Sequence, residues 1–341
     1  MTTILTGLRA NGELTLGNYL GGILPMVQLQ NELKSNDKLN LFIPDLHSFV
    51  TDIDHTALYQ NVLRNTRVFL AAGIDPNRPE VSVYRQSRIP AHSETAWILS
   101  CFTHYGEMRR MTQFKEKSAL PNITTTVGLF TYPVLQAADI LLYDAEYIPV
   151  GDDQKQHIEI TRDIGLRINA KFATELFVVP KPWDQQLAFS KRHEGVRIRS
   201  LQNPDAKMSK SISDPKGTIL LSDTPADAAK KVMSSATDSL AMIAWDWEQQ
   251  PGITNLLTIG YLLSNTPREQ FVARWAGISR YGDFKKYIAE LVSRFLFDFQ
   301  ERQAQYTDDV LEKILVNCEA EMNIIATKKL NQLQITVGLR R

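Results

Sequence analysis

The sequence predicts an α/β protein, with a doubly wound parallel sheet in its first part and a smaller all-helical domain after it. Three observations carry that expectation. Short apolar β-type runs alternate with helical stretches through the first half, at a spacing that suits parallel strands joined by helical crossovers. The first strand leads through a glycine-bearing loop into a helix N-terminus, an arrangement whose backbone N–H groups can gather an anion. Beyond residue 217 the strand signals stop and only helical patterning continues.

The chain has 341 residues, enough for one large α/β domain and a smaller one. Apolar residues make up 43% and charged residues 22%, so a packed core is expected rather than disorder. Lys plus Arg and Asp plus Glu balance at 38 each, which argues against wholesale coating of nucleic acid but leaves room for a local basic surface. Cys101 and Cys318 lie far apart without a C-x-x-C spacing, so neither a disulfide framework nor a zinc site is expected. No metal ligands are assigned. A reducing compartment follows. The first residues lack a basic stretch followed by an apolar one, and no run approaches the roughly 18 apolar residues of a membrane span. The expectation is a cytoplasmic protein.

Taken in order, Thr3 to Thr6 reads as the first strand, ended by Gly7, and Gly17 to Leu33 as a helix. Leu39 to Ile43 is apolar enough for a buried strand. Ala57 to Ala72 reads as a helix closed by Gly73. Glu80 to Tyr84 is the third strand and Pro90 to His104 the next helix. Ala119 to Thr126 is polar and reads as a loop. Thr131 to Tyr143 reads as a helix capped by Thr131, with Pro133 tolerated in its first turn. Tyr147 to Val150 is a short strand, followed by a helix through Phe172 and a last strand at Leu176 to Val179. The remaining helices are expected over Pro225–Ser235, Ile253–Ser264, Arg268–Ala276, Phe284–Tyr306, Thr307–Thr327 and Lys329–Val337.

Candidate functional residues fall at strand ends and in loops. His47 lies just past the C-terminal end of a parallel strand, where such sheets bind ligands, although a capping or surface role reads equally well. Tyr132, Gln136 and Asp139 are spaced by four and three, so they share one helix face. Asp139 stands there among Leu135, Leu142 and Tyr143. A carboxylate on an apolar face needs a partner, either a structural Arg or Lys or a donor on a ligand. Arg109, Arg110, Lys115 and Lys117 crowd a segment with one acid, Glu116, which a solvated face would also explain. Lys207-Met208-Ser209-Lys210-Ser211 puts two flexible ammonium groups three apart, suited to following charge that moves during phosphate chemistry. A solvated basic loop is the plainer reading of the two lysines alone.

The pentapeptide Lys207–Ser211 resembles the KMSKS signature of the class I aminoacyl-tRNA synthetases. Thr15-Leu16-Gly17-Asn18 is similar to their HIGH signature, with Thr and Asn in place of its histidines, the form of the tryptophanyl-tRNA synthetases. The strings MTQFKEKS, around Lys117, and Gly151-Asp152-Asp153-Gln154-Lys155-Gln156-His157 also resemble that family. Departures are Arg9-Ala10-Asn11 where it commonly has Gln-Pro-Ser, Leu5 where it often has Phe, and an Ile212-Ser213 extension before Asp214. Tyr-x-x-x-Gln-x-x-Asp is also the pattern of the tyrosyl-tRNA synthetases, and Gln136 weakens the distinction. The flanking motifs favour the tryptophanyl family, and the resemblance covers essentially the whole chain.

The resemblance implies a Rossmann catalytic domain over 1–205 binding ATP and tryptophan, and a KMSKS loop over 206–217. It implies a helical anticodon-binding domain over 218–310, with C-terminal helices over 311–341. It further implies activation of L-tryptophan by ATP with Mg2+, transfer to tRNA(Trp), and a homodimer. A tyrosyl-tRNA synthetase, or a catalytically silent homologue binding tRNA or nucleotide, stands as the alternative. By the family pattern, Lys117, Lys207 and Lys210 serve catalysis by facing the phosphates. ATP contacts are expected from Arg9, Ala10, Asn11, Gly17, Asn18, Gly151, Asp152, Asp153, Ile198, Lys207, Met208, Ser209, Lys210 and Ser211. Tryptophan contacts are expected from Leu5, His47, Tyr132, Gln136, Asp139 and Gln154, with Asp139 accepting the indole N–H. The basic residues Lys230, Lys231, Lys285, Lys286, Lys328 and Lys329 mark the helical region, without picking out which read the tRNA.

Overall fold

The computed structural model describes residues 2–9, 12–118, 125–192, 196–209 and 214–341, without the side chains of Lys117, Lys191 and Arg192. Among the expected site residues, Ala10, Asn11, Lys210, Ser211 and the Lys117 side chain therefore lie outside the described residues.

Three parallel strands form the sheet: β1 (Thr3–Gly7), β2 (Lys38–Ile43) and β3 (Val81–Arg85), in the spatial order β1-β2-β3. Side chains alternate across it. Ile4, Leu39, Leu41, Ile43, Val81 and Val83 face one apolar cluster, and Leu5, Phe42 and Tyr84 face another. Burial on both faces explains why the strands read as nearly continuous apolar runs. The first cluster continues without a break into the helical residues Ile253, Phe271, Phe284 and Phe299, so the helical region shares one core with the sheet, reached through the segment at Tyr19 and the helix over Leu58–Ala72.

Two expected strands are not formed as such. The segment at Tyr147 joins the free edge of β1 by one parallel bridge, with Leu5 N–H donating to the Tyr147 carbonyl at 3.0 Å. Its outer edge is closed by a side chain instead of a strand. Gln186 accepts from the Ile148 N–H at 2.9 Å and donates to the Glu146 carbonyl at 2.8 Å, satisfying groups an open edge would leave bare. Gln186 sits on a helix, Trp183–Arg192, which the polar sequence between prolines did not suggest. Leu176 to Val179 is irregular, its backbone tied to side chains: Asn169 brackets Phe177 and Asp144 accepts from Val178.

The helix expected from Gly17 to Leu33 runs over Leu16–Asn18, widens to a π turn over Tyr19–Ile23, and resumes over Leu24–Glu32. A Cβ on Gly21, inside the π turn, would lie 2.8 Å from the Val196 carbonyl oxygen. The widened turn thus coincides with a close approach of two backbones. The region expected as one helix from Pro90 to His104 ends at Ser100, and a second begins at Tyr105. The Asp139 helix runs over Val127–Leu141, one turn earlier than expected, and its cap is Thr126, whose side chain accepts from the Leu129 N–H at 3.1 Å. Thr131 lies inside the helix with its hydroxyl on the Val127 carbonyl, and Pro133 is an interior proline.

The C-terminal helix is continuous over Asp308–Thr336 and returns to the sheet. Its Glu319 accepts from the Arg85 guanidinium at the end of β3 at 2.6 and 2.9 Å, and its Glu312 accepts from the same group at 2.7 Å. These bonds and the two carboxylate charges outweigh burial and hold the Arg85 pKa above its ordinary value. Among the described residues no helix is long and apolar enough to cross a membrane.

Candidate active site

Asp139 is the most deeply buried acid of the sheet's C-terminal edge, fully enclosed on the inner face of its helix. Its carboxylate oxygens are bracketed by His47 Nε2 at 2.8 Å, His92 Nδ1 at 2.5 Å and Gln86 Nε2 at 2.7 and 2.9 Å. Burial pushes the carboxyl pKa up, but hydrogen bonds from His47 and His92, with favourable electrostatics from the same two rings, bring it down to about 2. An ionised carboxylate only accepts, so each of the three neighbours turns an N–H toward it. The partners are therefore neither Arg nor Lys, but two histidines and an amide. His47 and Gln86 follow the C-terminal ends of β2 and β3, and the lateral spacing of those strands sets their separation across the carboxylate.

Tyr132 and Gln136 share the Asp139 helix and line the space beside it. The Tyr132 ring stands edge-on to His47 with centroids 6.2 Å apart, and its hydroxyl is 2.8 Å from His157 Nε2. Burial raises the Tyr132 pKa to about 12, Arg9 opposes the rise and Asp153 adds to it, so both charges lie near this phenol. Gln136 Nε2 donates to Gln154 Oε1 at 3.4 Å, and Gln154 Nε2 donates to Asp153 at 2.7 Å. Gly151, Asp152 and Asp153 are exposed at the start of the helix that carries His157. Leu5 is buried in the cluster that also holds Phe42, Tyr84, Val134 and Ala138.

The two signature-like loops meet past the C-terminal end of β1, the sheet edge at which His47 and Gln86 leave β2 and β3. Thr15 caps its helix reciprocally with Asn18: the Thr15 hydroxyl and backbone N–H both donate to Asn18 Oδ1 at 2.9 Å, and the Asn18 N–H donates back at 3.1 Å. This spends the Thr15 hydroxyl inside the chain and leaves the Asn18 amide nitrogen as the outward donor. Leu16 N–H donates to the Ile219 carbonyl and Leu221 N–H to the Leu14 carbonyl, stitching this loop to the segment after Lys207–Ser211. A Cβ on Gly17 would stand 3.4 Å from Met208 Cβ and 3.5 Å from Ile198 Cβ. Met208 and Ile198 are buried and bonded to each other through the Met208 N–H, whereas Lys207 is exposed and Ser209 half-buried. The base of the loop is pinned on both sides, because Ser200 Oγ donates to Asp214 at 2.5 Å and accepts from Gln202 and Asn203 N–H at 3.1 Å.

Gln86 and His92 were missed from sequence. Gln86 obeys the same strand-end rule that marked His47, and the signal was there to use. His92, in the first turn of the next helix, carries no local pattern that separates it from a core histidine. Among the basic residues of the helical region, Lys231, Lys285 and Lys329 are committed to neighbours in the chain: to Asp223 and the Thr218 carbonyl, to the Ser235 carbonyl, and to Asp144.

Comparison with known proteins agrees with this geometry. The profile of the tRNA synthetases class I (W and Y) family matches residues 1–297. The tryptophan–tRNA ligase of Malacoplasma penetrans is 39% identical over 344 residues, spanning 99% of this chain and 98% of the relative. Tryptophan–tRNA ligase 2 of Streptomyces avermitilis is 43% identical over 98% of this chain and 96% of its own. The crystal structure of tryptophanyl-tRNA synthetase from Mycoplasma pneumoniae superposes with a TM-score of 0.80 at 33% identity, covering 100% of this chain and 98% of that one. The Campylobacter jejuni enzyme, solved with ADP and tryptophan, gives 0.79 at 32% identity, covering 99% and 100%. The fold and the two meeting loops thus define a class I aminoacyl-tRNA synthetase with a Rossmann-type sheet. The chain belongs to the tryptophan- and tyrosine-type group of that class.

Proposed function

We propose that this chain activates L-tryptophan with ATP, forming tryptophanyl-adenylate and pyrophosphate, and then transfers the tryptophanyl group to tRNA(Trp). The observation that carries this reading is the buried, ionised Asp139, held by His47 and Gln86 past the C-terminal ends of β2 and β3, on the sheet edge from which β1 leads to the junction of Gly17, Ile198 and Met208. The names of the relatives, and the neighbour solved with ADP and tryptophan, support tryptophan over tyrosine as the amino acid.

In this reading the tryptophan carboxylate attacks the α-phosphorus of ATP in line, and a ribose hydroxyl of the terminal adenosine of the tRNA then takes the tryptophanyl group. No side chain forms a covalent intermediate. Catalysis of this kind rests on positioning and charge stabilisation. Asn18, Gly17 and Ile198 are assigned to the nucleotide, and Lys117, Lys207 and Lys210 to stabilising charge on the departing pyrophosphate. Mg2+ would accompany ATP as part of the co-substrate and help neutralise the phosphate charge. Asp139 and His47 read the indole edge while Tyr132, Gln136 and Gln154 line the pocket. A site built to pair a substrate N–H rejects an analogue lacking it by roughly 10⁴ or more.

The helical region 218–310 is proposed to read the anticodon, and the protein to work in the cytoplasm as a homodimer. Exposed Trp97, Ile324 and Ile335 support an apolar mating face; their helices are joined by a hydrogen bond from Gln334 to Glu94. Charging assays with transcripts of tRNA(Trp) and tRNA(Tyr) test the reading. Tryptophan attached to the first alone is expected, and tyrosine attached to the second would overturn it.

A further inference from the structure

The Asp139 carboxylate receives its donors from two sides that differ in kind. His47, on the side of Tyr132, belongs to the pocket wall. His92 lies on the inner side, wholly buried, with Nδ1 on Asp139 Oδ1 at 2.5 Å and Nε2 on the Tyr143 hydroxyl at 2.9 Å. The tautomer follows from the partners. Asp139 accepts only, so His92 carries its proton on Nδ1, and Nε2 accepts from the Tyr143 O–H. Behind Tyr143 stands Tyr84, also fully buried, with ring centroids 5.6 Å apart. Burial foremost, and the Asp139 charge with it, push both phenols above their ordinary pKa. Both therefore stay protonated, and Tyr143 can donate.

We propose that His92 is a positioning residue for tryptophan selection: held from behind by Tyr143, it locks the Asp139 carboxylate by Oδ1 so that Oδ2, on the His47 side, is aimed at the indole N–H. The donor geometry supports this. A carboxylate offers about four lone-pair positions. His92 and Gln86 meet Oδ1, and His47 and Gln86 meet Oδ2, so the substrate N–H takes the Oδ2 place of the longer Gln86 contact, 2.9 Å. Without the His92 donor the carboxylate is free to turn about its bond to Cβ, and Oδ2 is no longer aimed. The inference rests on Asp139 accepting the indole N–H.

The test uses the full-length protein in amino-acid-dependent ATP–pyrophosphate exchange, with L-tryptophan and with benzothienyl-L-alanine, in which sulfur replaces the indole N–H. Asparagine places its amide nitrogen near His Nδ1, and glutamine places its own near Nε2. His92→Gln should therefore lose the donor to Asp139, and His92→Asn should keep it. For His92→Gln, kcat/KM for tryptophan is expected to fall about tenfold to a hundredfold, chiefly through KM, in line with a lost hydrogen bond to a charged group. The analogue should change little, so the preference for tryptophan collapses by the same factor. His92→Asn should retain that preference. Tyr143→Phe, which loses only the hydroxyl behind His92, should lower it by about twofold to tenfold.

Equal losses for both amino acids in His92→Gln would make His92 a purely structural histidine and overturn the proposal. An undiminished preference would do so too. Should His92→Gln fail to fold, a lost preference in His92→Asn, or an unchanged one in Tyr143→Phe, overturns it. Wild-type protein that does not prefer tryptophan over the analogue removes the Asp139 reading itself, and the proposal with it. A wild-type preference that survives in His92→Gln sinks the positioning role alone.

Discussion

Gly17 and Met208, nearly two hundred residues apart, approach so closely that a Cβ on the glycine would stand 3.4 Å from the Cβ of the methionine. The contact joins the loop after β1 to the loop after Leu201, and backbone hydrogen bonds between Leu14–Leu16 and Ile219–Leu221 hold the joint. A methyl group fits at that separation. A branched side chain would press on Ile198 or enter the space proposed for a nucleotide base. Gly17→Ala should therefore fold normally, and Gly17→Val should raise KM for ATP by roughly fivefold to a hundredfold, the range expected from overpacking. Initial-rate exchange kinetics at varied ATP measures this, and an unchanged KM for Gly17→Val would remove Gly17 from the nucleotide site.

Asp139 stabilises the fold as well as the pocket. Replacing it by asparagine turns an amide N–H₂ toward groups that already donate, leaving His47, His92 and Gln86 poorly partnered. Losing one partner of a buried ionic cluster costs about 3–5 kcal/mol. The pH dependence follows from a folded pKa of about 2 against roughly 3.9 in the unfolded chain. The folded value is depressed, so the stabilisation is complete above about pH 3.9 and is lost as pH falls through about 2. Urea midpoints of wild type and Asp139→Asn should differ by a constant amount between about pH 5 and pH 8 and converge in acid. A gap that grows on acidification would contradict the assignment.

Arg85 ties the C-terminal helix to the end of the strand that delivers Gln86. Removing Glu319 alone leaves a buried guanidinium with only Glu312, and Glu319→Ala should cost about 3–5 kcal/mol. Exchanging both partners for apolar residues, Arg85→Met with Glu319→Leu, should restore most of that loss, because no buried charge is left behind. A chain ended after Tyr306 should fail to fold for the same reason. Soluble truncated protein with native-like thermal unfolding would show that the returning helix is an appendage.

Ser200 and Asp214 clamp the two feet of the Lys207–Ser211 loop. Ser200→Ala loses the bond to Asp214 and two backbone contacts at the turn. The expected result is a fall of about tenfold in kcat with little change in KM for tryptophan, since the loop is proposed to act on departing phosphate and not on the amino acid. A change confined to KM for tryptophan would place the loop's role elsewhere.

Much of this was legible in the sequence, for physical reasons that can be named. Strands β1 to β3 stood out because both faces are buried, and Tyr132, Gln136 and Asp139 because helical spacing aligns them. The pairing of Asp139 with His92 was not legible, since His92 lies 47 positions away and nothing local marks it, whereas Gln86, 53 positions away, was marked only by its place at a strand end. The strand expected at Tyr147–Val150 was reduced to a bridge because Gln186 supplies hydrogen bonds that a strand would have made. The start of the Asp139 helix was placed late because Pro133 read as a first-turn residue, whereas Thr126 caps the chain one turn sooner.

The pocket around Asp139 is proposed to select tryptophan for adenylation. Amino-acid-dependent ATP–pyrophosphate exchange, run separately with tryptophan, tyrosine and phenylalanine, decides whether it does. Exchange with tryptophan alone is the predicted result. Exchange with tyrosine, or silence with all three in folded protein, would contradict it.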